Sequence, residues 1–228
     1  MKIAGIEFEV DRDDISLSLI RLDELRVEPS REGWEDFERG LFETIRSSTS
    51  LEDVKDDELF RSYRDLYWTF GMDPTKLRVS SEALLRRVVN GLNLWRISNI
   101  VDVVNVASPM HKIPIGLVDI TKVVGNLRVR IARKGEVFVR IGGTEKICRG
   151  RELVLADDEK IVCFGYATHD SELTKVSTDS TQVYLLHYGA PAVSLEYLKT
   201  SSHYTLELVK DWVDCQPSEV SYFRPNSQ

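Results

Sequence analysis

Hydrophobic positions alternate at the start of the chain, recur at helical spacing through its first half, and alternate again in its second half. Residues 3–10 and 15–27 alternate hydrophobic and polar side chains and are rich in Ile, Val and Leu, a pattern typical of strands. A helix is predicted over residues 30–48, with Ser30 as its N-cap. Its inward face is made of Trp34, Phe37, Leu41 and Ile45.

Two further helices are predicted before the middle of the chain. Residues 56–71 repeat large hydrophobic side chains at helical spacing and stop at Gly71. The inward face of this helix is made of Leu59, Tyr63, Leu66 and Tyr67. After a turn, a third helix begins at Ser80 or Ser81 and ends at Gly91.

A fourth helix, over about residues 98–107, carries a polar stripe beside its hydrophobic face. The stripe consists of Asn99, Asp102 and Asn105, which lie three residues apart. Two interpretations stay open, since Asn99 and Asp102 have the spacing of an N-cap and its N3 partner, whereas the whole stripe could also line a site. Capping leaves Asn105 unexplained, because an amide two turns into a hydrophobic helix needs buried partners.

From residue 126 onward the hydrophobic spacing returns to two. Strands are predicted in residues 126–132, 136–141, 152–157 and 160–167, joined by connections that contain Gly. A tract rich in Ser and Thr then leads into a last strand, and a helix over residues 201–215 closes the chain. Helices followed by a meander of strands indicate an α+β fold, with helices packed on mainly antiparallel sheets.

The composition is that of a globular protein, with 42% hydrophobic and 29% charged residues. No hydrophobic run approaches the length of a membrane span, and the start of the chain lacks the core of a signal peptide. Cys148, Cys163 and Cys215 are too widely spaced for a zinc site or a disulfide framework. We therefore expect a cytoplasmic protein without a metal, another cofactor or a membrane contact.

The net charge of −7 hides a strong asymmetry along the chain. Residues 1–60 hold 8 basic and 18 acidic residues, residues 61–150 hold 16 and 7, and residues 151–228 hold 6 and 12. A basic middle third between acidic flanks is expected if one face meets a phosphate backbone. The alternative, that folding scatters these charges evenly, stays open.

Generic catalytic signatures are absent. The chain lacks G-x-S-x-G, G-x-x-x-x-G-K-[ST], G-x-G-x-x-G and H-E-x-x-H, and its four histidines have no metal-ligand spacing. His169 and Asp170 could pair as a base and the carboxylate that orients it, but a dipeptide is a weak signal.

Three phrases in a fixed order carry a resemblance to a known family. They are "RISNIVDVVNVAS", then "GLVDITKVVGNLRVRIARKGE" after a proline loop, and later "ELVLADDEKIVCFGYATHDSELTKVSTDSTQVYLL". Together they resemble the tRNA-editing module, domains B3 and B4, of the bacterial phenylalanyl-tRNA synthetase beta subunit, over about residues 80–190. The preceding "YRDLYWTFGMDPTKLRVSSEALLRRVVNG" is similar to free-standing proteins of this family, which carry the module without a synthetase.

The resemblance implies a pocket that receives the 3′ end of a mischarged tRNA and hydrolyses the aminoacyl ester. Such a second site is needed because one methylene or hydroxyl gives only about 1–3 kcal/mol of discrimination in a first pocket. Carried over residue by residue, the helix phrase implies catalytic roles for Asn99, Asp102 and Asn105. Substrate-binding roles are expected for Arg130, Asp170, Ser171, Thr174, Lys175 and Ser177.

One position departs from the family pattern. The histidine in the synthetase phrase "PLHAFD" falls on Gly116 in "PIGLVD", and His111 is the residue that could replace it from the preceding loop. The departure affects the side chain that the family places in its pocket, so the substrate is expected to differ.

These observations predict a tRNA-binding protein that edits mischarged aminoacyl-tRNA in trans, without aminoacylation activity. The alternative is a non-catalytic module that holds RNA or a small metabolite in the same pocket, and a weaker third candidate is a hydrolase of small esters. Residues 1–75 are expected to form a leader or subdomain, and residues 76–228 the B3/B4-like domain with its C-terminal helix. The partner is tRNA or aminoacyl-tRNA, with a protein as a further candidate partner for the acidic N-terminal region.

Overall fold

The computed structural model describes residues 5–225, so the first residues of the predicted strand at 3–10 lie outside the described part of the chain. The helices are α1 Trp34–Ser48, α2 Leu51–Asp56, α3 Glu58–Thr69, α4 Ser80–Val89, α5 Asn99–His111 and α6 Leu195–Trp212. The strands are β1 Ile6–Phe8, β2 Ser16–Asp23, β3 Ile115–Asp119, β4 Leu127–Ile131, β5 Lys134–Val139, β6 Glu145–Arg149, β7 Leu153–Ala156, β8 Ile161–Phe164, β9 His169–Asp170, β10 Val183–Gly189, β11 Gln216–Pro217 and β12 Ser221–Phe223.

The strands form two sheets and a separate hairpin. One sheet has the order β1-β4-β7-β8-β9, in which only the β1–β4 pair is parallel. The other has the order β11-β2-β10-β3, with β12 also paired to β2, and all of its pairs are antiparallel. Strands β5 and β6 form the hairpin. Because helices pack on mainly antiparallel sheets, the α+β prediction is confirmed.

The central sheet carries the main core. Strands β2, β3 and β10 are buried along nearly their whole length, and α5 and α6 pack on each other and on this sheet. The predicted leader or subdomain, residues 1–75, includes β2. This strand pairs with β10 over Val183–Gly189, so the two predicted parts of the chain share one sheet. Side chains from both sides of residue 75 share one hydrophobic core.

Several local predictions differ from the structure. The N-cap of α1 is Gly33, at a φ of 88°, and not Ser30, whose hydroxyl is bound to Asp102 instead. On α3, Phe60 is buried in place of the predicted Leu59, which is only partly buried. The other predicted inward residues are buried, namely Tyr63, Leu66 and Tyr67. Helix α4 has Val79 at its N-cap and no side-chain cap from a serine.

The largest difference is at α5, which continues through Pro109 to His111 instead of ending near residue 107. Pro109 has no N–H to donate, so the last turn of α5 lacks one backbone hydrogen bond. The C-cap of the helix is Lys112, whose φ is 58°, and the Ser108 hydroxyl donates to the carbonyl of Ile113 at 2.9 Å. The loop expected after the helix is therefore short, and the hydrophobic run that follows it is the buried strand β3.

The cysteines are free, with Cys148 and Cys163 buried and Cys215 half-buried. Within residues 5–225, no helix combines the length and the hydrophobicity that crossing a bilayer requires.

Candidate functional site

The polar stripe of α5 begins with Asn99, which joins the helix to the segment after β2. Its Nδ2 donates to the carbonyl of Arg26 at 2.8 Å, and its Oδ1 accepts from the N–H of Glu28 at 3.3 Å and of Ile100 at 2.8 Å. The side chain is 1% exposed, so its donors and acceptors are used inside the protein. Asn99 holds the start of α5 in place.

Asp102 is buried at the centre of a second polar cluster. Its Oδ1 accepts from the N–H of Ile97 at 3.0 Å, and its Oδ2 accepts from the Ser30 hydroxyl at 2.6 Å and from Arg96 at 3.4 Å. Arg96 also pairs with the buried Glu38 of α1. The carboxylate therefore ties α5 to α1 and to the loop before it.

Asn105 differs from the other two members of the stripe. It is half-buried, and its side-chain amide forms no hydrogen bond with the described residues. The capping interpretation does not explain Asn105, and it is also wrong for Asn99, because the N-cap of α5 is Ser98 and makes no side-chain cap. The predicted catalytic role of Asn105 stays a prediction.

A small cavity lies where β3 meets the turn between β8 and β9. It has a volume of about 70 Å³. Its walls are made of Ser80, Ile115, Gly116, Ala167, Thr168, His169 and Asp170. The structure thus brings Asp170, predicted from sequence, together with Gly116, the position at which the family pattern is broken.

The backbone of the β8–β9 turn is strained next to this cavity. Gly165, Tyr166 and Ala167 have φ values of 69°, 46° and 81°, a conformation that costs non-glycine residues on the order of 1 kcal/mol or more. Tyr166 is held by its hydroxyl, which donates to the carbonyl of Ser16 at 2.9 Å. Strain of this kind, imposed by the surrounding core, is concentrated at functional sites.

Asp170 is the acidic wall of the cavity. Its Oδ2 accepts from the N–H of Leu117 at 3.1 Å, and a Cβ at Gly116 would lie only 2.9 Å from its Oδ1. Burial raises the pKa of the Asp170 carboxyl to about 6, although the Leu117 N–H opposes this shift. A side chain at position 116 would therefore have to displace the carboxylate of Asp170.

His169 lies beside this carboxylate on the same short strand. Burial, together with the charges of Arg140 and Lys146, lowers the pKa of His169 to about 4. The imidazole is therefore neutral at pH 7 and can accept a proton or a hydrogen bond. His111, the residue expected to replace the family histidine, does not line the cavity and instead packs against Tyr204 with ring centroids 4.8 Å apart.

Arg130 is 8% exposed and lies at the base of the β5–β6 hairpin, where it forms a two-pronged ion pair with Glu136 at 2.6 and 2.9 Å. Both groups are more than four-fifths buried, and the pair lowers the pKa of Glu136 against the opposing effect of burial. The guanidinium is thus occupied by an internal partner.

The remaining predicted residues lie after Asp170. Ser171 is buried and accepts from the N–H of Leu173 at 3.1 Å, while the buried hydroxyl of Thr174 has no partner among the described residues. Lys175 is about two-fifths exposed and pairs with Glu172. Ser177 binds the hydroxyl of Ser180 through its N–H at 3.0 Å, which closes a local turn. The cavity wall includes Asp170 and none of these four.

A basic groove of about 410 Å³ runs between the segment after α3 and the hairpin. Its cationic side chains are Lys76, Lys146, Arg149 and Arg151, beside Asp73 and Glu152. The groove and the cavity share no wall residue, but Lys146 Nζ lies 4.1 Å from the centroid of the Phe164 ring, and Phe164 pairs with His169 between β8 and β9. Glu152 is occupied by the N–H groups of Arg149 at 2.9 Å and of Arg151 at 3.2 Å.

Sequence reasoning missed the groove and most of the cavity wall. The charge count did mark the basic middle third, to which Lys76, Lys146 and Arg149 belong, but it could not show that they share one face. Across residues 5–225, no group of three or more His, Cys, Asp and Glu side chains is placed to hold a metal ion.

Comparison with known proteins gives one family. The B3/4 domain matches residues 62–207, which is more than half of the chain. The phenylalanine–tRNA ligase beta subunit of Fusobacterium nucleatum is 30% identical over 122 residues, which are 54% of this chain and 15% of that protein. The corresponding subunit of Protochlamydia amoebophila is 31% identical over 102 residues, 42% of this chain and 12% of that protein.

The chain thus corresponds to a small part of the length of these relatives. Among solved structures, an N-terminal fragment of the phenylalanyl-tRNA synthetase beta subunit from Pyrococcus horikoshii matches with 16% identity and a TM-score of 0.46, over 90% of this chain and 48% of that one. The resemblance to the B3/B4 module, first carried by three phrases of the sequence, is confirmed by the family match.

Proposed function

This chain belongs to the B3/4 domain family, and on that premise we propose that it binds the aminoacylated 3′ end of a tRNA and hydrolyses a wrongly attached amino acid in trans. The observation that carries the proposal is the half-buried Asp170 carboxyl in the wall of a small cavity, on a chain that also carries a basic groove. A carboxylate suits the amino group of an aminoacyl ester, and the groove suits its polynucleotide.

Asp170 would hold the substrate through its α-ammonium group. Its Oδ2 is already bound to the Leu117 N–H, which leaves Oδ1 beside Gly116 for a ligand. At pH 7 a carboxyl with a pKa of about 6 is mostly ionised, so an ammonium group gains a charge-assisted hydrogen bond in a site of low dielectric.

Hydrolysis needs only a positioned water molecule and no protein nucleophile. The water oxygen attacks the ester carbonyl carbon, the bond from that carbon to the ribose oxygen breaks, and the proton given up by the water ends on the ribose oxygen. His169, neutral at pH 7, would accept a hydrogen bond from this water and orient it. We assign orientation to His169 because a pKa near 4 makes a weak base.

Asn99 and Asp102 would act as positioning residues. Every polar atom of both side chains is used inside the protein, which fixes the start of α5 below the central sheet. Asn105, whose amide has no partner among the described residues, stays a candidate for substrate contact.

Contact with RNA would be made by the basic groove. Lys146, Arg149 and Arg151 form no ion pair with the described residues, so they can bind phosphates without breaking one. Lys146 also lies over the ring of Phe164, with its Nζ 4.1 Å from the ring centroid. Lys175 is exposed enough to add a contact by leaving Glu172, whereas Arg130 would hold the hairpin in place through Glu136. A protein that acts on tRNA would work in the cytoplasm, and the acidic N-terminal region remains a candidate surface for a protein partner.

A non-catalytic binding module is the second candidate. It is favoured by Gly116, which stands where the synthetase phrase has a histidine, and by the low pKa of His169. In this case the cavity would hold the aminoacyl group without cleaving it.

The test is a screen of the purified protein for release of labelled amino acids from a panel of mischarged tRNAs. We expect release from at least one aminoacyl-tRNA, and on the order of a 100-fold slower rate for Asp170→Asn, which keeps the shape but removes the charge. The matched control is Asp36→Asn, at an exposed position of α1, and its rate of release should equal that of the wild type. Tight binding of aminoacyl-tRNA without release would select the second candidate.

A further inference from the structure

The size of the cavity bears on the substrate. Its volume of about 70 Å³ has room for roughly five to seven water-sized groups, far below the several hundred Å³ of a typical ligand pocket. An alanyl, glycyl or seryl group has about this many non-hydrogen atoms, whereas a phenylalanyl or tyrosyl group has about twice as many.

The wall on the core side cannot retreat to admit a larger group. A side of the cavity is closed by Asp170 against Gly116, where Tyr188 Cε2 lies 3.2 Å from the place of an added Cβ. Tyr188, Cys163 and Tyr166 are completely buried behind this wall and belong to the main core. Because cores are packed as densely as crystals, an aromatic ring could extend toward the core only by displacing them.

The polarity of the walls selects the kind of small group. The wall contains one carboxylate, a neutral imidazole and the hydroxyls of Ser80 and Thr168, and its hydrophobic members are Ile115 and Ala167. The Thr168 hydroxyl is already bound to the hydroxyl of Tyr67 at 2.8 Å. Asp170 is the charged residue of the wall, and it is the partner that a ligand of opposite charge would bind. A compact ligand with an ammonium group satisfies these walls, and an anionic or purely hydrophobic one does not.

We propose that this cavity accepts the aminoacyl group of a small amino acid, such as alanine, glycine or serine, and excludes aromatic and long aliphatic amino acids. The inference rests on the proposed function for the attached tRNA, but the size limit belongs to the cavity itself. The size limit is set by Gly116 and Asp170 together, because the Asp170 carboxylate fills the space beside Gly116.

The experiment measures binding of adenosine carrying an amide-linked amino acid at its 3′ position, which cannot be hydrolysed. We expect the alanyl and seryl conjugates to bind on the order of 100-fold more tightly than the phenylalanyl and tyrosyl conjugates. Equal or tighter binding of the aromatic conjugates overturns the size limit. Binding of none of the conjugates overturns both the size limit and the proposed function.

Two variants and a control locate the effect. Gly116→Ala places a Cβ 2.9 Å from Asp170 Oδ1 and should abolish binding of the alanyl conjugate, whereas Gly40→Ala, in open space on α1, should not change it. Ile115→Ala enlarges the cavity and should admit the leucyl conjugate, provided that its melting curve shows a folded protein. Unchanged preferences in both cavity variants would contradict the inference, even if the wild type hydrolyses an aminoacyl-tRNA and so satisfies the proposed function.

Discussion

At the scale of single residues, the candidate site depends on the contact between Gly116 and Asp170. They are far apart in the sequence, and each looks ordinary there, since a glycine in a strand and an aspartate in a polar tract have many structural explanations. Their relation is visible only in the structure, because the Asp170 carboxylate occupies the space that a side chain at position 116 would need. The family pattern marked Gly116 as a departure, but only the fold shows that a carboxylate takes its place.

Substitution of Asp170 by Asn should change how stability depends on pH. The pKa of Asp170 rises from 3.8 to about 6 on folding, so the folded state holds the proton more tightly than the unfolded state. The stability contributed by this group is therefore fully present below about pH 4 and lost as pH rises through about 6. Relative to the wild type, the variant should gain up to about 3 kcal/mol between pH 4 and pH 7.

The measurement is urea unfolding of both proteins across this pH range, with Asp36→Asn as the control at an exposed carboxylate. Parallel stability curves for wild type and Asp170→Asn would show that the carboxyl of Asp170 is solvated and that its cavity is not enclosed.

At the scale of elements, periodicity predicted the long helices well and the short or buried elements poorly. The repeats in residues 30–48 and 56–71 each correspond to a helix, because one face of each meets a core. Helix α2 has too few residues to show a period, and β3 is buried on both faces, so it shows no alternation.

The site was predicted in part for the same reason. The polar stripe of α5 was visible in the sequence, but its partners Arg26, Glu28 and Ser30 lie about 70 residues earlier in the chain. Spacing along a helix shows which side chains share a face and cannot show what covers that face.

Removal of the Asp102 carboxylate should destabilise the start of α5. Asp102→Ala leaves the N–H of Ile97 and the hydroxyl of Ser30 without their partner, and leaves Arg96 with Glu38 as its one remaining carboxylate. It should lower the free energy of unfolding by about 1–3 kcal/mol. The urea midpoint should fall with an unchanged m-value. Asp36→Ala, which breaks an exposed pair with Arg39, should change it by less than about 0.5 kcal/mol. Equal effects of the two substitutions would mean that Asp102 is not structural.

At the scale of the whole molecule, the charge asymmetry of the sequence becomes a feature of the surface. The basic middle third provides Lys76, Lys146 and Arg149 to one groove, and Arg151 follows directly. Other cations of the same third are neutralised, as Arg128 is by Glu7, Glu9 and Asp158. Lys76 pairs with Asp73 at 3.8 Å, whereas Lys146, Arg149 and Arg151 form no ion pair with the described residues. Folding therefore collects positive charge in one groove, which neither a net charge nor a count by thirds can show.

Binding of tRNA should weaken with salt through this groove. Each phosphate contact contributes about 0.7–0.9 to the slope of log affinity against log salt concentration, because counterions are released. Lys146→Ala and Arg151→Ala should each lower the affinity for every tRNA and reduce the slope by about 1. Lys210→Ala, on α6 and paired with Glu207, is the control and should leave both unchanged. An unaltered slope in the groove variants would place the RNA elsewhere.

The location of the site is tested most directly by an NMR titration of the labelled full chain with the non-hydrolysable alanyl-adenosine conjugate. We predict that the largest shifts occur at the backbone amides of Gly116, Leu117, Thr168 and Asp170, and that they follow one saturable curve. Shifts concentrated at Asn99, Asp102 and Asn105 with an unaffected Asp170 would contradict the account and return the site to the polar stripe of α5.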